Sequence, residues 1–130
     1  MADRTTKLLL LAIAVGLWMN VANQWLRPVP VQAAEQDYAE AVRWYRLAAE
    51  QGYAMAQVSL ALQYILGEGV QRDFVKAHMW ANLAASRLSG EARELAVNAR
   101  ALALRSMTAD QVAEAQRLAR EWEAAHPREP

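Results

Sequence analysis

Residues able to do chemistry are few and dispersed. The two histidines are His78 and His126. His78 lies beside the apolar stripe of a helical segment, with no second histidine and no carboxylate four residues on, and His126 stands in a polar tail. A metal site needs three or four converging ligands, so no metal ligand is expected. Gly67-Glu68-Gly69 has the look of a phosphate cradle, yet no Lys-Ser/Thr follows it and no strand is expected to lead into it. Serines stand at positions 59, 86, 89 and 106, none with a histidine placed by a recognisable motif to activate it. Cysteine is absent, which removes thiolate nucleophiles and disulfides. A carboxylate hydrolase would need two acids converging in a pocket that raises one pKa. Glu40/Arg43, Arg46/Glu50 and Glu114/Arg117 have instead the spacing of solvated pairs on helix surfaces. The expectation is no catalytic, cofactor-binding or metal-binding residue, hence no enzyme.

The remaining residues speak of packing. Of the 130 residues, 55% are hydrophobic and 22% charged, and 14 basic side chains balance 14 acidic ones. A chain so apolar folds, and one without net charge has no field to recruit nucleic acid. Alanine and leucine dominate, with only five glycines and four prolines, a mixture that favours helices over strands.

The first thirty residues differ from the rest. Arg4 and Lys7 precede an apolar run from Leu8 to Met19, which continues weakly to Leu26 before Arg27, Pro28 and Pro30 break it. This is the layout of a secretory signal, with Val31 and Ala33 as the small residues before a scissile Ala33–Ala34 bond. Residues 8–26 are also close to the roughly 20 residues that span a bilayer, so an uncleaved anchor with Trp25 at the interface is the other reading. Asn20, Asn23 and Gln24 weigh against burial in lipid. Either way, residues 1–33 direct the rest of the chain across a membrane, and membrane contact is confined to residues 8–26 if they are retained.

Beyond this segment the pattern has a helical period. Residues 37–51 are amphipathic, with Tyr38, Ala41, Val42 and Tyr45 on one side, Asp37 as N-cap and Glu40 completing a capping box. A second helix is predicted over 54–66, ahead of Gly67-Glu68-Gly69, a third over 73–87, and a fourth over 91–105. The fifth follows Thr108, whose capping box closes at Gln111 and whose staple is Met107 with Val112. Asp37 and Asp73 stand 36 residues apart, and at that step Tyr38 meets Phe74, Trp44 meets Trp80, Leu47 meets Leu83 and Ala48-Ala49 meet Ala84-Ala85. Helix pairs at such a period form a solenoid, each unit burying its apolar face against the next.

The run from Asp37 to Gly52, with Ala54, Ala56-Gln57, Leu60, Tyr64, Gly67-Glu68-Gly69-Val70 and Asp73-Phe74 after it, resembles a Sel-1-like repeat. Residues 107–122 are similar to the terminal helix of short bacterial members. Glu91 to Met107 lacks the tyrosine and the Gly-x-Gly loop, so the last unit is read as degenerate or as a cap. The resemblance implies an all-α, TPR-like solenoid over residues 34–130, working as a protein–protein scaffold. For a bacterial exported member it implies a periplasmic protein, or one anchored in the inner membrane and facing the periplasm.

Such a scaffold works through its surface. Residues 54–66 carry no charge, and a helical wheel gathers Met55, Val58, Leu62 and Leu66 on one side, away from Leu60 and Tyr64. That side is either sandwiched within the domain or lines a partner groove through Met55, Val58 and Leu62. Trp44, Trp80 and Trp122 are expected in helix seams, and one found exposed becomes a candidate hot spot. The functional expectation is an exported adaptor that docks on an envelope protein; the rival is an anchored subunit that holds an envelope complex together. The partner itself is not identified by these residues.

Overall fold

The computed structural model describes residues 3–25 and 31–130, and every structural statement below concerns those residues. The predicted break at Arg27, Pro28 and Pro30 lies outside them, as do Leu26 and the side chains of Trp25 and Val31. Six helices and no strand are present among the described residues: α1 (Arg4–Trp25), α2 (Val31–Glu50), α3 (Ala54–Leu66), α4 (Phe74–Arg87), α5 (Gly90–Leu104) and α6 (Ala109–Ala125). They divide into two units, Met1–Val31 and Gln32–Pro130.

The first unit is α1. Its window Arg4–Gln24 has a mean hydropathy of 1.6, and the helix is long and apolar enough to cross a membrane.

The second unit is an antiparallel solenoid whose helix ends are written into the sequence. Gly67 closes α3 in the left-handed conformation, with its N–H donating to the Gln63 carbonyl at 2.8 Å. Asp73 caps α4 by accepting from the Lys76 N–H at 3.0 Å. Thr108 opens α6 with both bonds of the expected capping box, accepting from the Gln111 N–H at 3.2 Å while its own N–H donates to the Gln111 side chain at 2.9 Å. The start of α2 departs from expectation. The helix begins at Val31, so Asp37 lies inside it and caps nothing. Gln32, Ala33, Ala34, Glu35 and Gln36 are good helix formers, and propagation through them outweighs the cap that Asp37 offers.

In this unit α3 packs on α4 and α5, and α4 also on α5 and α6. The core joins Val42 and Ala49 of α2 to Leu60, Ala61 and Tyr64 of α3, Ala77, Trp80, Ala81 and Leu83 of α4, Ala99 and Ala103 of α5, and Ala119 of α6. A smaller cluster of Val58, Ala84, Ala85 and Ala96 fills the junction of α3, α4 and α5. Alanine dominates these seams because a methyl group lets helix axes approach at the short end of the usual 8–10 Å range.

The 36-residue step governs polar contacts as well as apolar ones. The Gln57 side chain of α3 donates to the Ala49 carbonyl at 3.1 Å, and Arg93 of α5 donates to the Ala85 carbonyl at 3.2 Å. Both carbonyls belong to the last turn of a helix, beyond its regular ladder (Ala49 also accepts from the Gly52 N–H at 3.0 Å), so each repeat braces the end of the preceding one from the side. Likewise Arg46 of α2 donates to the Tyr64 hydroxyl of α3 at 3.2 Å, while Arg100 of α5 donates to the Asn82 side chain of α4 at 2.7 Å. In each case the partners stand 36 residues on. Thus α5 occupies the same place in its unit as α3 does, although it lacks the tyrosine and the Gly-x-Gly loop.

Candidate functional site

Among the described residues no three or more His, Asp or Glu side chains come together as a metal site would require, and the candidate site is the surface that the helices leave open. The uncharged side of α3 splits in two. Met55 and Leu62 are 48% and 38% exposed, and Leu66 is exposed beside them. Val58 is only 4% exposed, packed with Ala84, Ala85 and Ala96. It therefore does not line a partner groove, as the sequence had suggested: lying nearest the edge of the stripe toward α5, it is covered when α5 docks. Met55 and Leu62 remain available.

The tryptophans divide in the same manner. Trp80 is 7% exposed and meets the Trp122 ring edge-on at 5.9 Å between centroids. Trp122 also lies under the Arg87 guanidinium, at 4.8 Å, and stacks on His126. Trp44, which holds the position of Trp80 one step earlier, is 65% exposed, and Leu47 is exposed where Leu83 is buried. This reverses the expectation that all three indoles pack. The difference lies in the neighbours. Helix α4 packs on α3, α5 and α6, and Trp80 is covered by the Trp122 ring of α6, whereas among the described residues no aromatic ring packs on Trp44. The aromatic face that α4 buries is left open on α2.

On another side of α2 a cleft runs between α2, α4 and α6. Arg46, Tyr64 and Lys76 stand at its centre, Met79, Trp80 and Leu118 form an apolar wall, and Val70 and Arg72 extend it along the α3–α4 loop. Lys76 Nζ sits 5.6 Å above the Tyr64 ring. Among the described residues the expected surface pairs Glu40/Arg43 and Arg46/Glu50 are not formed, and Arg46 donates to Tyr64 instead of Glu50; Glu114/Arg117 is formed at 2.6 Å, and Arg117 also meets Glu121. That exposed pair holds the Glu114 carboxyl below its usual range, first through the hydrogen bond from Arg117.

The other sequence candidates are placed plainly. Gly67-Glu68-Gly69 serves packing: a Cβ on Gly69 would collide with the α2 backbone at Tyr38 and Ala39, so this loop is pressed against the first helix. Ser59 and Ser86 donate to carbonyls of their own helices, Met55 and Leu83. His78 is buried with Nδ1 unpartnered, and burial together with the nearby charge of Arg100 holds its pKa below the usual histidine value.

Comparison with known proteins agrees with this geometry. Residues 32–53 and 54–87 match the model of the Sel1 repeat, the first covering α2 and the second the α3–α4 pair. Among solved structures, the chain is similar to a protective antigen of uropathogenic Escherichia coli described as displaying an SLR fold. The match has 32% identity and a TM-score of 0.60, and covers 67% of this chain. The chain spans 18% of the length of that protein. A comparison with curated proteins gives no match.

Proposed function

We propose, from the match of residues 32–53 and 54–87 to the Sel1 repeat, a unit that generally mediates protein–protein contact, that the chain is an exported adaptor that docks on an envelope protein through its open helix faces. One observation carries this reading: Trp44 is exposed on α2 where its repeat equivalent Trp80 is buried among helices. An unburied indole, with Leu47 beside it, retains the free energy that a covering helix would release, about 1.5–3 kcal/mol for a large apolar side chain. The occupant this face fits is a helix of the partner presenting an apolar side, since helices cover the same positions on α4. Met55 and Leu62 of α3 form a second strip for the same role. The basic N-terminal residues and α1 supply the export signal.

A photo-crosslinking residue at position 44 or 62 of the full chain, in intact cells, tests this. Both positions should yield one discrete protein adduct, whereas a control at Arg120 should not. Trp44→Glu should abolish the adduct formed at 62 while helicity and melting stay unchanged; loss of folding instead would assign Trp44 a packing role and remove the proposal.

A specific observation favours the anchored form over a cleaved one. Ala33 and Ala34, the expected scissile pair, lie within α2, and a helical peptide bond must unwind before a protease can hold it extended. The mass of the mature chain distinguishes the two: retention of residues 1–33 supports a subunit tethered in the membrane, and a start at Ala34 supports a released one.

A further inference from the structure

The cleft beside Tyr64 is built differently from its counterpart one step along the chain. There, Arg100 donates to the Asn82 amide oxygen. Here Arg46 donates to the Tyr64 hydroxyl, a group that is acceptor and donor at once. The phenol oxygen accepts from Arg46, but among the described residues nothing accepts the phenol's own proton, although the side chain is only 4% exposed. Three cations line the cleft around it, Arg46, Arg72 and Lys76. The ion pairs among the described residues, Arg117 with Glu114 and Glu121 and Arg128 with Glu123, include none of them. Two carboxylates share this lining, Asp73, whose Oδ1 accepts from the Lys76 N–H, and Glu50, and neither forms an ion pair with the three cations. Three cations against two carboxylates leave the cleft with a net positive charge, to which a further anionic acceptor is complementary.

We propose that this cleft binds a carboxylate of an acidic protein segment, with the Tyr64 hydroxyl, the Arg46 guanidinium and the Lys76 ammonium as its donors and the Met79–Trp80–Leu118 wall taking a neighbouring apolar side chain. A carboxylate offers two oxygens and about four lone pairs, enough to meet the phenol proton and the free guanidinium and ammonium hydrogens together. The adjoining wall calls for a peptide rather than a free ion, because an ion leaves those apolar carbons wet. This deepens the adaptor reading by giving the partner a chemistry, and it rests on that reading.

The full chain in detergent micelles, labelled with ¹³C-tyrosine and with ¹⁵N at arginine Nε, reports directly on the site by NMR. The probe is the blocked peptide acetyl-Leu-Glu-Glu-Leu-amide, compared with its Leu-Gln-Gln-Leu form and with inorganic phosphate. Saturable shifts at Tyr64 and Arg46 with the acidic peptide are expected, with the glutamine form weaker by about tenfold, the loss of roughly one charge-assisted hydrogen bond. Tyr64→Phe keeps the ring and removes the donor, and should weaken binding about fivefold to tenfold on the same principle. Lys76→Gln, at an exposed position where folding is not at stake, should weaken it about threefold, as expected of an exposed charge. Equal binding of the two peptides, no effect of either substitution, or phosphate binding as tightly as the acidic peptide overturns the proposal. Crosslinking at positions 44 and 62 is read on different faces, so failure here and failure of the adaptor reading are told apart.

Discussion

At the scale of single residues, the two glycines of the α3–α4 loop separate conformation from space. Gly67 and Gly69 both have φ near +70°, but a Cβ at Gly67 meets only Arg72 at ordinary van der Waals distance, whereas at Gly69 it meets the backbone of α2. Gly67→Ala should therefore cost about 1–2 kcal/mol, the strain of a left-handed non-glycine residue, and Gly69→Ala distinctly more; denaturant melts of the two variants give the comparison. His78 supplies a pH effect. Its folded pKa lies below the unfolded value of about 6.5, so the unfolded chain binds the proton more readily. Stability is full above that value and falls as pH drops through the lowered folded pKa. The repeat equivalent of His78 is buried Val42, and His78→Val should flatten the melting profile across this acid range. A profile that keeps its slope in the variant assigns the effect to another group.

At the scale of elements, α6 acts as the lid of the stack. It contributes Trp122, which touches Trp80 and Arg87 of α4, while the Arg87 side chain also reaches the Gly52 carbonyl between α2 and α3 at 3.4 Å. One indole thus ties the last helix to a guanidinium that bridges the first turn of the solenoid. Trp122→Ala should destabilise the fold by about 2–3 kcal/mol, less than for a fully buried tryptophan because part of the ring is exposed. Thr108→Ala, which opens the capping box of α6, should cost about 1 kcal/mol. Thermal melts followed at 222 nm check both.

At the scale of the whole molecule, two units of different composition share one chain. Met1–Val31 offers a membrane-length apolar helix, and Gln32–Pro130 offers a short solenoid whose end helices cannot be fully covered by their neighbours. A stack this short has no repeat remote from an end, so it should unfold in one transition. Trp122→Ala in α6 should then lower the melting of α2 as much as that of α6, measured by hydrogen exchange at Val42 and Ala115. Separate melting of the two helices would contradict that coupling.

Much of this was readable in the linear chain. The period of apolar residues, the punctuation at Gly52, Gly67, Asp73 and Thr108, and the 36-residue step all act locally or between neighbours in sequence, so they fixed the helices α3 to α6 and the solenoid they form. The start of α2 was misread because a cap is worth about 1 kcal/mol and loses to upstream helix formers. Which side chains remain in water was decided only in three dimensions. Trp44 and Trp80 are the same residue type at the same repeat position, as are Leu47 and Leu83, and they differ only in how many helices surround them. Val58 and Leu62 share one side of α3 and are parted by the docking of α5. The pairing of Arg46 with Tyr64 joins residues 18 apart on separate helices, and no spacing rule within one helix reports it. Exposure is a property of the neighbours a residue acquires, and those are set by the order of stacking rather than by the residue itself.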